Sequence, residues 1–246
     1  MTEQKLSFPT EVIELPTKGI IYPKDNPLSE GKIEMKYLTS RSEDILTNQN
    51  YIQQGIVLDK LLEDIVVSKI NLDDLVLGDK DALLISARIL GYGKYYEFKY
   101  NKKQVKVDLT KLDIQYPDEK LFKQGINSFD FTFPNSGTKI TFKFLTGHDE
   151  KKIDEEVKGL EKLEQTFIPE GTIRLKYIIT SVNGDESNKT IRDFVENNLL
   201  AIDAREFRKY IRKIQPGIVT KITPEGLEEE VNIPIGINFF WPDLEI

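Results

Sequence analysis

The stretch that most limits how this chain can fold runs L-D-D-L-V-L-G-D-K-D-A-L-L-I-S-A-R-I-L-G-Y-G-K-Y-Y, from Leu72 to Tyr96. From about Asp79 to Leu90 its apolar residues are Ala82, Leu83, Leu84, Ile85, Ala87, Ile89 and Leu90. They nearly encircle a helix, the pattern of a helix buried on most sides. Ala and Leu favour that helix. Asp79 and Asp81 stand where carboxylates complement the positive end of its dipole. Gly91 follows the last periodic residue and can take the left-handed conformation that ends a helix. Arg88 is the one long charge inside. A cation there needs a partner or a route to solvent. Glu43 and Asp44, in the neighbouring capped segment, are the candidate carboxylates; backbone carbonyls are the alternative.

A buried helix needs other elements around it, and the chain can supply them. It has 246 residues, 39% of them hydrophobic and 30% charged. That gives one large domain or two modest ones, and too much apolar material for a disordered chain. The net charge of -7 argues against a general nucleic-acid surface. There is no cysteine, so disulfides and Cys-ligated zinc are excluded, and the single histidine, His148, excludes His-pair metal motifs. The first residues, M-T-E-Q-K-L-S-F-P-T, lack an apolar signal core, and no run approaches membrane-spanning length. The reading is a cytosolic product, with no membrane partner.

Residues 1–30 carry Pro9, Pro16, Pro23 and Pro27, which forbid a continuous helix. This segment reads as an extended strap on its own domain or as a partner-binding arm. Lys32–Leu38 alternates as a half-buried strand. Ser40 with Glu43 matches a capping box, so Glu43 and Asp44 read as first-turn acids rather than a catalytic dyad. Gly55–Val67 is a second amphipathic helix.

Gly91-Tyr92-Gly93 follows a helix and lacks a third glycine, so it is no dinucleotide fingerprint. Tyr95–Tyr100 with Gln104–Leu109, and Ser128–Phe133 with Lys139–Leu145, read as hairpins. Glu150–Gln165 is a charged segment, and Thr172–Val182 is β-rich. Thr190–Asn198 and Ala201–Ile214 read as helices, with Asn188 as a cap. The second carries Arg205, Arg208, Lys209, Arg212 and Lys213: a solvated face, or a docking surface for an acidic partner. Ile218–Ile222 is expected to pair with Glu230–Ile233. Phe239, Phe240 and Trp241 then either plug the core or sit at an interface.

One enzymatic alternative stands in the residues. Asp73, Asp74, Asp79 and Asp81 put four carboxylates within nine residues, a set that could collect a divalent metal for hydrolysis. Their spacing does not match an EF-hand loop, and helix-start acids account for at least two of them.

The order of several pieces resembles the baseplate hub assembly proteins of T4-like contractile-tailed bacteriophages and related myoviruses. These are L-P-T-K-G-I-I-Y-P at Leu15–Pro23, K-I-E-M-K-Y-L-T-S-R-S-E-D-I-L-T-N at Lys32–Asn48 and G-D-K-D-A-L-L-I-S-A-R-I-L-G-Y-G at Gly78–Gly93. T-G-H-D-E at Thr146–Glu150, V-N-G at Val182–Gly184 and N-F-F-W-P at Asn238–Pro242 complete the set. No catalytic motif accompanies them. Many relatives place Cys-x-x-Cys knuckles after the Y-G-x-x-Y element and before the last F-F; here those places read Y-N-K-K-Q-V and I-T-P-E-G-L-E-E. A zinc cofactor is therefore not expected.

The resemblance implies a late viral protein of the host cytoplasm, or of the virion tail baseplate, that is no enzyme and carries no cofactor. It would act by binding other baseplate hub proteins, as an assembly chaperone or as a permanent hub component. The expected fold is α+β: an N-terminal helical segment packed on antiparallel hairpins, with a second helical pair near the C-terminus. The expected division is 1–93 and 94–246, or one continuous domain.

Overall fold

The computed structural model describes residues 9–163, 168–224 and 228–240. Strand β1 (Thr10–Glu14) pairs antiparallel with β2 (Lys32–Lys36), with Val12 opposite Glu34. Between them the strap turns back on itself, and the Leu15 N–H reaches the Gly31 carbonyl at 2.8 Å. Gly19 has φ +77°, and a Cβ there would strike the Ser29 carbonyl, so this turn requires glycine. The alternation in β2 behaves as its period dictates, with Ile33 and Met35 fully buried.

Four helices follow: α1 (Ser40–Leu46), α2 (Gln49–Gln54), α3 (Val57–Ile65) and α4 (Leu77–Tyr92). The cap of α1 is Thr39 with Ser42, one residue earlier than the Ser40–Glu43 pattern suggests. Helix α3 buries Val57, Leu61, Leu62 and Ile65; its Asp59 pairs with Lys80, and its nearly buried Asp64 pairs with Lys36 and accepts from Ser42 Oγ. Helix α4 is longer than its apolar core: Gly91 lies inside it, packed on Leu38, and Gly93 at φ +82° ends it. A side chain at position 91 would crowd Leu38, so this glycine serves packing rather than chain reversal. At the other end a Cβ on Gly78 would overlap the Pro216 carbonyl, and its absence lets distant chain cross the start of α4.

Hairpin β3 (Tyr95–Tyr100) and β4 (Lys103–Asp108) turns at Asn101-Lys102, both at positive φ. The two-residue strand β5 (Ile114–Gln115) leads to β6 (Phe129–Thr132) and β7 (Lys139–Phe142). The charged segment becomes α5 (Gly147–Lys162), capped by Thr146 and Asp149.

The β-rich run beginning at Thr172 is corrected. Glu170–Ile178 is helix α6, and only β8 (Ile179–Val182) is strand, pairing with β7. Arg174 forks onto Glu150 at 2.6 and 2.8 Å, and Lys176 reaches Glu156 at 2.9 Å, both on α5. Ile173 meanwhile joins Leu145 and Ile153 in a satellite cluster. Tertiary pairing overrides the β propensity of the run.

Helix α7 (Asn188–Asp193) is capped by Ser187 rather than Asn188 and runs on through a π-helical turn, Phe194–Asn198. Helix α8 (Ala201–Ile214) follows, then β9 (Gly217–Ile218), β10 (Lys221–Ile222), β11 (Val231–Asn232) and α9 (Ile237–Phe240). Strands β10 and β11 pair as expected, whereas the pairing of β5 with β9 joins segments about 100 residues apart and has no local signal.

The architecture is mixed α+β, with small antiparallel sheets beside the helices. The main hydrophobic cluster draws on Leu15 and Ile33 near one end, Leu83 and Ile85 of α4, Phe142 and Phe207, and Phe239 and Phe240 near the other. No helix among the described residues is long and apolar enough to cross a membrane.

Candidate functional site

Asp79 does more than face a helix dipole. It is fully buried and accepts three hydrogen bonds from the strap: from the Thr17 N–H at 3.0 Å, Thr17 Oγ1 at 2.6 Å and the Tyr22 hydroxyl at 2.6 Å. Tyr22 in turn accepts from the Val76 N–H at 3.1 Å. Burial pushes the Asp79 carboxyl above the usual carboxylate range, although these donors pull the other way. Burial, with Asp79 beside it, also pushes the Tyr22 hydroxyl well above its ordinary value. The L-P-T-K-G-I-I-Y segment is thus fastened to α4 through one carboxylate. The available sequence signal was an acid inside an otherwise apolar helix, paired with a threonine in a proline–glycine strap.

Two of the other three acids have partners of their own. Asp73 pairs with Lys151, while Asp74 meets His148 Nε2 at 3.1 Å and accepts from Asn26 Nδ2 at 3.0 Å. Asp81 lines a cleft of about 420 Å³ between α3, α4, α5 and α6. Burial pushes its carboxyl up to about 6, opposed by Lys80 and reinforced by Glu150. The cleft's cations are already engaged: Lys80 by Asp59, Lys151 by Asp73 and Arg174 by Glu150. No group of three or more His, Asp or Glu side chains among the described residues is placed to hold a metal ion. The carboxylate set behind the hydrolase alternative is therefore dispersed. The half-exposed His148 is held between Asp74 and Asn71.

Arg88 takes the backbone-carbonyl alternative, and Glu43 and Asp44 are not its partners. Its Nε donates to the Phe239 carbonyl at 3.0 Å and its Nη1 to the Gly93 carbonyl at 3.4 Å. Its guanidinium lies 5.0 Å from the Tyr92 ring centroid and 5.9 Å from that of Tyr96. Burial lowers its pKa, while the two tyrosines act to raise it. Glu43 is exposed and approaches the Tyr92 hydroxyl instead; burial first, and Glu43 second, push that hydroxyl up to about 12. Asp44 is exposed. Carbonyls win over carboxylates because α4 carries Arg88 toward the tail segment, not toward α1.

Two of the three terminal aromatics are core residues. Phe239 is fully buried edge-on to Tyr96 at 4.8 Å, and Phe240 packs on Phe239 at 5.6 Å. Trp241 lies outside the described residues.

Helix α8 divides cleanly into two faces. Phe207 and Tyr210 pack on Phe131 and Phe142 of the β6–β7 hairpin. At its start the buried Asp203 accepts from the Asn135 N–H, Asn135 Nδ2 and the Ser136 N–H. Burial works to raise that carboxyl, but these donors hold it below its ordinary value. On the other face Arg205, Arg208 and Arg212 are all exposed. Lys209 pairs with Glu206 at 2.8 Å, whereas Arg205, Arg208, Arg212 and Lys213 make no ion pair among the described residues.

No curated protein and no solved structure matches the chain significantly. A family model described as T4 bacteriophage base plate protein matches residues 13–231. That span takes in the Asp79 anchor, Arg88 and all of α8, and the chain belongs to the T4 bacteriophage base plate protein family.

Proposed function

We propose that this protein promotes assembly of the central hub of the phage tail baseplate by binding other hub proteins, in the host cytoplasm and without chemistry of its own. The observation that supports this is membership of a baseplate family over most of the chain. Three of the four carboxylates that could have served a hydrolase, Asp73, Asp74 and Asp79, are engaged in fastening one element to another. Interaction surface is what the protein offers, chiefly the arginine face of α8. The tail aromatics Phe239 and Phe240 support the reading indirectly, by completing the core that presents this face.

A permanent place in the virion hub uses the same surfaces. Co-expression with the other tail proteins and affinity capture tests the binding role: recovery of hub proteins with the full chain is the expected result, and recovery of none overturns it. Detection in assembly intermediates but not in purified virions separates an assembly factor from a resident component.

A further inference from the structure

We propose that the exposed face of α8 is a docking site for an acidic protein segment, whose carboxylates pair with Arg205, Arg208 and Arg212. The inference rests on the hub-assembly reading only for the source of that segment. Its physical basis is separate.

At about 100° per residue these three arginines fall within roughly 60° of one another around the helix, and they span about 10 Å of its length. That is the repeat of a second helix carrying acids at i, i+3 and i+7, or of a short extended acidic strand. The chain as a whole carries a net charge of -7, so a row of uncompensated cations is not its default surface. The four other arginines of the chain all have partners: Arg41 lies 3.6 Å from Asp64, Arg88 donates to backbone carbonyls, Arg174 forks onto Glu150 and Arg192 lies 3.9 Å from Glu156. On α8 Lys209 pairs with Glu206, and the three arginines make no ion pair among the described residues.

The stripe is also rigid. Asp203 clamps the first turn to the Asn135-Ser136 backbone, and Phe207 with Tyr210 seats the opposite face on four-ring packing with Phe131 and Phe142. A forked donor held by a fixed helix suits carboxylates, which accept two parallel bonds from one guanidinium. Leu200 and Ile202, 48% and 56% exposed, stand at the N-terminal end of the stripe and would receive an apolar residue of the same partner. An acidic segment with one hydrophobic anchor is therefore the occupant the face fits.

The test uses the full-length protein and its Arg205→Glu/Arg208→Glu/Arg212→Glu variant. Both are titrated with a fluorescein-labelled peptide of about twelve glutamates, with a single-stranded oligonucleotide as competitor. The wild type should bind the peptide at low salt and lose about tenfold or more of its affinity as salt is raised well past the physiological range. The variant should melt normally and bind at least about tenfold more weakly, while a triple Arg→Lys variant should retain much of the binding.

Equal binding by a normally folded charge-reversed variant overturns the proposal. So does an oligonucleotide that displaces the peptide, which would make the face a nucleic-acid site, and so does concentration-dependent self-association lost in the variant, which would assign it to a second copy. If the variant still captures hub proteins as well as the wild type does, this surface is wrong and the hub reading stands. If the peptide binds through the arginines but no hub protein is captured, the surface stands and the hub reading falls.

Discussion

Asp79 and Asp81 stand two positions apart on one helix, yet their environments differ. Asp79 is surrounded by donors from the strap, and replacing it with alanine strands the Thr17 N–H and the Tyr22 hydroxyl in the core. Asp79→Ala is expected to lower stability by about 2–4 kcal/mol. Urea denaturation measures this, and an unchanged midpoint would mean the strap is held by other contacts. Asp81 has its carboxyl pushed up to about 6 from 3.8 by burial, so the folded state binds its proton more tightly than the unfolded state does. The stability this proton contributes is complete below about pH 3.8 and is lost as pH rises through about 6. Asp81→Asn should therefore match the wild type near pH 3.5 and exceed it above pH 6, by on the order of 1–3 kcal/mol. A stability difference that does not change across that window would contradict the buried-carboxyl account.

Between elements, the joint that matters most links α4 to α9. Arg88 donates to the carbonyl of Phe239, whose ring packs on Tyr96, so one helix grips both the backbone and the side chain of the tail segment. Because the acceptors are neutral carbonyls, Arg88→Ala strands no buried charge. The expected loss is about 1–3 kcal/mol, less than the 3–5 kcal/mol typical of breaking a buried ion pair. Phe239→Ala, which empties a fully buried aromatic site, should lose more, about 3–5 kcal/mol. Thermal melts of the two variants check the order. If Arg88→Ala proves the more damaging, an anionic partner for Arg88 must exist beyond the described residues.

At the scale of the molecule, residues far apart in the chain close one core. Leu15 and Phe239 belong to the same hydrophobic cluster, and β5 pairs with β9 across most of the second half. Removing residues 238–246 takes away Phe239 and Phe240 together with the carbonyl that Arg88 holds. The shortened protein is expected to be insoluble, or to melt well below the full chain with coincident loss of far- and near-ultraviolet circular dichroism. A truncated protein that melts normally would show that the aromatics cover the core rather than complete it.

The sequence alone determined what local physics controls. The period of Ile33 and Met35 placed β2, the apolar ring of α4 announced a buried helix, and the alternating phenylalanines drew the β6–β7 hairpin. The basic cluster of α8 was equally plain. In each case the pattern repeats at the spacing of its own element, so near neighbours suffice. The tertiary structure decided whatever depends on a distant partner. Residues 170–178 pack as a helix on α5, where Glu150 and Glu156 receive Arg174 and Lys176 and Ile173 joins Leu145 and Ile153. Gly91 is a packing glycine rather than a helix end, because Leu38 occupies the space a side chain would need. Asp79 faces Thr17, Arg88 faces Phe239, and β5 meets β9 because chain closure brings together groups that share no local signal. A lone buried charge reveals in sequence that it needs a partner; which one it receives is fixed by packing, where the nearest donor or carbonyl in three dimensions prevails over the nearest complementary residue in the chain.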